Sequence, residues 1–266
     1  MIEILMFHRV LPKSKIDLND AYFIRGTLIS QERLEQIILE YLKKDFYFKT
    51  ISSLNYDSKT NQVALTFDDG YTDNYLYAKP ILEKYNIKAT FYPVIGYCKE
   101  NTIAPLDYYY HYVNENITID NKENWIIGNQ KKTFLNYSIT QQKEFVKTLK
   151  KINNSKNRVS YMSTQQLIEL DSLNHEIGGH SLYHDIYTKL DENEIREDIR
   201  ETKQMLSNIG IEIESYAYTD GQYSSTIIEI LNNENIKFAC AIKSKKLTND
   251  GHYELERKFI TENEII

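Results

Sequence analysis

Two stretches of this 266-residue chain carry residue types that do chemistry together. The first, Val63-Ala64-Leu65-Thr66-Phe67-Asp68-Asp69-Gly70, is an apolar run of β-formers ending in paired carboxylates and a glycine. Adjacent strand residues point to opposite sides, so Asp68 and Asp69 are expected to hold separate jobs, one at a metal and its neighbour at a proton. Taken alone, Asp-Asp-Gly is equally well read as a polar turn after a strand. The second stretch is Gly178-Gly179-His180-Ser181-Leu182-Tyr183-His184. A helical turn over Ser181–His184 would bring both imidazoles to one side. Two histidines and one carboxylate are a frequent ligand set for a catalytic Zn²⁺ that keeps a position open for water. Two of only six histidines in the chain sit here.

The elements that must position these residues alternate in type. Residues 30–44 read as a helix with Ser30 as N-cap and Leu34, Ile37, Ile38, Tyr41 and Leu42 on its apolar face. Phe46–Ile51 reads as a short strand, 74–85 as a helix with Pro80 inside its pattern, and Lys88–Val94 as a strand. Helices follow over 163–170 and 188–206, the charges of the latter read as a solvated face, and Phe238–Ile242 reads as a strand. Such alternation predicts a parallel sheet or barrel, in which ligands sit at the carboxyl ends of strands. Residues 99–160 interrupt the pattern with Asp107–Tyr112, an Asn- and Lys-rich stretch around Trp125, and a polar helix over about 140–151. They read as an insertion beside the barrel. His111 and Trp125 either serve a groove or pack the insertion, and neither is taken as a site residue. Glu176, four residues before His180, either orients an acid histidine or is a strand-edge charge.

Composition sets the outer bounds. This length suits one large α/β domain, here residues 1–266 with 99–160 inserted. A formal charge of −6 points to no nucleic acid and no acidic membrane surface. Cys98 and Cys240 are too few for a disulfide scaffold. Met1–Phe7 is too short for a secretory leader and lacks a basic lead, and no window approaches a membrane span. A cytoplasmic protein without an integral membrane segment is expected. Oligomeric state is not set by the sequence. The 22 tyrosines suit sugar stacking or an ordinary core.

The two chemical stretches together resemble the polysaccharide deacetylases, the NodB-homology family of metal-dependent N- or O-deacetylases. Thr66–Gly70 resembles the first family motif and His180–His184 the second, His-Ser/Thr-x-x-His. Tyr71–Tyr75, Ala78–Leu82 and Ile87–Phe91 fit between them, and the resemblance covers most of residues 1–98 and 165–262. It implies an α/β fold, a distorted (β/α) barrel with fewer than eight regular strands. It also implies that Asp69, His180 and His184 hold a divalent metal, with Zn²⁺ favoured, and that Asp68 is the base. Leu5-Met6-Phe7-His8-Arg9-Val10 resembles the circularly permuted poly-N-acetylglucosamine deacetylase branch, whose strand and histidine stand at the front, which makes His8 the general acid. His252, in a polar loop, is its rival.

Ser215–Tyr223 resembles the third family motif, usually Arg-Pro-Pro-Tyr-Gly, or Ala-Tyr-Pro-Tyr-Gly in a subgroup. Ala217 stands at the arginine position, Thr219 replaces proline and Asp220 replaces tyrosine, so the backbone N–H expected to help bind the oxyanion falls on Asp220. Tyr253–Ile260 resembles the closing strand with its arginine. The implied activity is removal of acetyl groups from N-acetylated sugars of a glycan or glycan precursor. An O-deacetylase or a non-sugar amidase on the same scaffold, and a carbohydrate-binding module without turnover, are the alternatives.

Overall fold

The computed structural model describes residues 1–149, 159–248 and 251–263. Its strands are β1 (Ile2–Phe7), β2 (Arg9–Leu11), β3 (Leu28–Ser30), β4 (Tyr47–Lys49), β5 (Gln62–Asp69), β6 (Thr90–Pro93), β7 (Glu176–Ile177), β8 (Ser215–Ala217), β9 (Phe238–Ala241), β10 (Leu255–Glu256) and β11 (Lys258–Phe259).

β5 sits at the centre, because its run from Val63 to Phe67 is apolar except for Thr66 and is buried throughout. β1 lies along one edge, in parallel register from Ile2 opposite Gln62 to Phe7 opposite Phe67. β4 covers the start of the other edge and β6 its end. β7 extends the sheet from β6. A parallel bridge between Gly179 and Tyr216 carries the pairing on to β8, which pairs β9, which pairs β10. One residue further along, β11 pairs back onto β1. Hydrogen bonding therefore runs round a distorted, parallel α/β barrel, as the resemblance implied.

Register sorts the side chains of β5. Phe7, Phe67 and Phe91 are cross-strand neighbours and stack at 5.2 and 5.0 Å in the apolar layer that meets the helices. A buried phenylalanine contributes roughly 1.5–3 kcal/mol through the area it removes from water. Thr66 and Asp68, one residue either side of Phe67, must then face the barrel interior.

The helices follow their sequence signals with local adjustments. Gln31–Lys43 is capped by Ser30, whose Oγ accepts from the Arg33 N–H, and it buries Leu34, Ile37, Ile38 and Tyr41. Leu42 departs from the expected face and is 41% exposed. Pro80 lies inside a helical segment, as expected: a π-helical turn over Asn74–Ala78 runs directly into the α-helix Lys79–Lys84, and the widened turn just before Pro80 accommodates a residue with no N–H to donate. Thr164–Ser172 and Glu192–Ser207 start at capping boxes on Ser163 and Asp191.

Residues 99–160 include the helices Pro105–Asn116, Ile119–Ile126, Asn129–Asn136 and Ile139–Thr148. The polar helix expected to reach Lys151 ends at Thr148, and Lys150 and Lys151 lie outside the described residues. Trp125 packs these helices together, 5.8 Å from the Tyr109 ring, which itself stacks on Phe134 at 4.7 Å. His111 is buried and accepts from the Val159 N–H. Cys98 and Cys240 are buried free thiols. Among the described residues, no helix is long and apolar enough to cross a membrane.

Candidate functional site

Asp68 and Asp69 end β5 at its carboxyl edge and diverge as the pleat requires. Asp68 turns inward, is 2% exposed, and is gripped by Arg257, whose Nη1 and Nη2 donate to Oδ1 and Oδ2 at 2.7 and 2.8 Å. Nη1 also donates to Thr66 Oγ1, which in turn donates to the Leu5 carbonyl. Burial works to raise the Asp68 carboxyl, and Arg257 together with His180 and His8 outweighs it, so the group lies below its ordinary range. Asp69 has a left-handed backbone with φ 70°, followed by Gly70 at φ 77°. A Cβ at Gly70 would sit 2.9 Å from Pro93, so the sharp turn requires glycine.

The histidine segment follows β7 across Gly178 and Gly179. A Cβ on either would lie 2.3 or 2.2 Å from the rings of Tyr92 and Tyr216, so these glycines let the chain pass between two strand tyrosines. Ser181–His184 is not helical, as the spacing suggested. Ser181 and His184 both take left-handed φ values, 63° and 65°. The loop is built by partners instead. The Ser181 N–H donates to Tyr216 Oη at 2.7 Å, while Ser181 Oγ and the Leu182 N–H donate to Asp198. Asp198 is thus an exception to the solvated face expected of its helix, and burial pushes its carboxyl up to about 6.

These bends bring His180 Nε2 and His184 Nε2 to 3.5 and 3.4 Å from Asp69 Oδ1. His180 Nδ1 lies 2.8 Å from the Ala217 carbonyl, which can only accept, so Nδ1 carries the proton and Nε2 presents a lone pair. Glu176 plays no part in orienting a histidine here. It accepts from the Ser52 N–H, Thr90 Oγ1 and Ser215 Oγ at the amino end of the strands.

The three groups fit a metal. Their donor atoms lie within 4.8 Å of one another, and Asp69 Oδ1 is buried without a hydrogen-bond partner. Ligands at about 2.0–2.2 Å from a tetrahedral ion are themselves roughly 3.3–3.5 Å apart, which matches the two spacings from Asp69 Oδ1 to the histidines. Electrostatics agrees. Burial pulls both imidazoles down; the neighbouring Asp69 and Asp68 raise His180 above its ordinary value, whereas His184 stays below its own, so His184 is held neutral as a ligand must be.

His8 and Asp220 line the same cavity of about 310 Å³, together with Asp68, Asp69, His180 and His184. Asn74 Nδ2 holds the His8 carbonyl at 2.6 Å, the His8 ring meets Phe259 edge-on, and its buried Nδ1 has no partner. Burial lowers the His8 imidazole against the pull of Asp69 and Asp68. Asp220 sits at φ 54° in a 3-10 turn, Thr219–Gly221, whose own bonds are donated by the Gly221 and Gln222 N–H groups. Non-glycine residues in left-handed conformations cost on the order of 1–3 kcal/mol each and gather at functional sites. Asp69, His184 and Asp220 are such residues on one cavity. His252 does not join them, because it packs between Tyr56 and Phe238 at the amino end of β9.

Sequence reasoning gave Arg257 no role, since no spacing ties it to a carboxylate 189 positions away. It also missed Asp107, which accepts from the hydroxyls of Tyr22, Tyr71 and Tyr161 beside the site. The partner tyrosines lie 36 to 85 positions away, so no local signal marked the arrangement.

A parallel α/β barrel with an Asp-His-His cluster at the carboxyl ends of its strands defines the class. A model of the polysaccharide deacetylase family matches residues 55–239, and the chain belongs to that family. The match includes Asp68, Asp69, His180 and His184 and leaves His8 and Arg257 outside. The fold is shared with the Streptococcus pyogenes deacetylase PplD, solved with acetate (TM-score 0.66, 19% identity, 98% of this chain and 93% of that one). It is shared too with IcaB from Ammonifex degensii (TM-score 0.62, 18% identity, 98% and 91%). YxkH of Bacillus subtilis (strain 168) is 51% identical over 43 residues, a match spanning 15% of each chain.

Proposed function

We propose that this chain is a metal-dependent hydrolase that removes acetyl groups from N-acetylated sugars of a glycan or glycan precursor. Asp69, His180 and His184 would hold the divalent cation, and their mixed N/O donor set suits Zn²⁺. When bound, such a cation supplies a Lewis acid that polarises the acyl oxygen and lowers the pKa of water.

The remaining work falls to the chain. Asp68, held ionised by Arg257, takes the proton of the attacking water. The Asp220 N–H donates to the oxyanion as it forms. His8 delivers a proton to the departing nitrogen, without which an amide does not expel its amine. The family membership and the fold support the deacetylase reading, but the observation that carries it is the division of labour between neighbours. Asp68 is committed to a guanidinium, while Asp69 is left with an orphan oxygen between two imidazoles.

The test is acetate and free amine released from N-acetylglucosamine oligomers, set against acetate released from O-acetylated sugars. Amine appearing with acetate supports the N-deacetylase. Acetate from the esters alone would move the activity to O-deacetylation.

A further inference from the structure

We propose that the cavity holds an anion-binding subsite formed by Arg25 and Lys131, so that the N-acetylated sugar it takes carries a phosphate or carboxylate group. The sugar half of this rests on the deacetylase reading above; the anion half does not.

Arg25 ends the helix Ala21–Arg25, and Lys131 lies on Asn129–Asn136. Both line the cavity that also contains His8 and Asp69. Lys131 is only 7% exposed, and its ammonium donates to the Tyr110 hydroxyl while lying 5.1 Å from that ring. The Arg25 guanidinium rests 5.9 Å from the Phe259 ring. Among the described residues, neither cation forms an ion pair, whereas the buried Arg9 and Arg257 each have a carboxylate, Asp73 and Asp68.

A buried cation normally comes with a counter-charge. Lys131 has instead a second cation, since Arg25 acts on it to lower its basicity, and burial is the larger cause of an ammonium brought down to about 7. Two carboxylates act on it from a distance, and neither forms an ion pair with it among the described residues: Asp69 sits between the two histidines, and Asp220 accepts from the neutral Gln222 Nε2 at 3.1 Å. An oxyanion arriving on the substrate would complete the arrangement, and a guanidinium and an ammonium lining one cavity suit phosphate and carboxylate alike. Because Lys131 comes from the helices of residues 99–160, this region would set which sugar is accepted.

The experiment is calorimetric binding, which needs no turnover, with zinc-loaded protein. N-acetylglucosamine, N-acetylglucosamine 1-phosphate and carboxylate-bearing N-acetylmuramic acid are compared on wild type, Arg25→Gln, Lys131→Met and Lys131→Arg. Wild type should bind at least one anionic sugar about tenfold more tightly than the neutral one. Arg25→Gln and Lys131→Met should each remove most of that preference, and Lys131→Arg should keep it. The arm that shows the preference identifies the anion as phosphate or carboxylate. Equal affinities in wild type would overturn the proposal. So would a preference that persists in both neutral variants, since the anion would then sit on the metal. If Lys131→Met fails to fold, Arg25→Gln decides, because among the described residues the Arg25 guanidinium makes no hydrogen bond. Acetate release is followed in parallel. Turnover of the neutral sugar without anion preference would sink the subsite and keep the deacetylase, and anion-selective binding without acetate would do the reverse.

Discussion

Arg257 closes both terminal nitrogens of its guanidinium on the two carboxylate oxygens of Asp68, at 2.7 and 2.8 Å, with both side chains almost wholly buried. The guanidinium reaches Asp68 from the segment between β10 and β11. This fork keeps Asp68 ionised and fixed in direction. Arg257→Lys keeps the charge and loses the second bond, so the rate of acetate release should fall about 100-fold with a smaller change in KM. Arg257→Met strands a buried carboxylate and should lower stability by roughly 3–5 kcal/mol. Steady-state kinetics and thermal denaturation check the two, and wild-type kinetics in Arg257→Lys would show the fork to be dispensable.

Metal removal should be visible in the fold as well as the activity. A ligand at 100 times its Kd stabilises by about 2.7 kcal/mol, which in a domain of this size moves the melting temperature by roughly 5–10 °C. Chelation should therefore lower the melting point by that amount, and added Zn²⁺ should restore it. Asp69→Asn and His184→Ala should bind markedly less metal and respond little. A chelator that leaves the melting curve in place would argue against Asp69, His180 and His184 as ligands.

His8 is tested by the leaving group. An amine needs a proton to depart, whereas an activated phenol does not, so His8→Asn should slow amide cleavage by about 10²–10⁴-fold and slow an aryl acetate far less. Equal losses on both substrates would give His8 a binding role. The comparison is kinetic and uses one protein preparation for both substrates.

Asp107 gives a pH dependence of stability. Burial lifts its carboxyl from 3.8 to about 6, against the hydrogen bonds from the Tyr161 and Tyr22 hydroxyls. The folded chain keeps a proton that the unfolded chain releases. Its contribution is therefore fully present below about pH 3.8 and is lost as pH rises through 6. The stability of wild type relative to Asp107→Asn should fall by about 2.5 kcal/mol between pH 4 and 7. Denaturant unfolding of both proteins across that range measures it, and a constant difference would contradict the shift.

The parts of the site legible in the sequence are those whose chemistry is local. Asp68 and Asp69 announce themselves at the end of an apolar strand, and the pleat alone assigns them to different sides. His180 and His184 were legible by type and spacing, although the expected helical turn is replaced by two left-handed residues anchored on Tyr216 and Asp198. The parallel sheet follows from alternation, but the order of its strands, and the closure through the Gly179–Tyr216 bridge and through β11, depend on register between distant segments. The same distance hides Arg257 from Asp68. Glu176 shows the opposite failure, since its nearness to His180 in sequence translates into opposite ends of the barrel strands.

The measurement closest to the central claim is acetate release from N-acetylated sugars by wild type and Asp68→Asn, with the metal content of each determined on the same samples. We expect about one metal per chain in both proteins, acetate from wild type, and a loss of about 10²–10⁴-fold in the variant. A wild type that carries its metal and releases no acetate from any N-acetylated sugar would contradict the deacetylase reading. Full activity in Asp68→Asn would contradict Asp68 as its base.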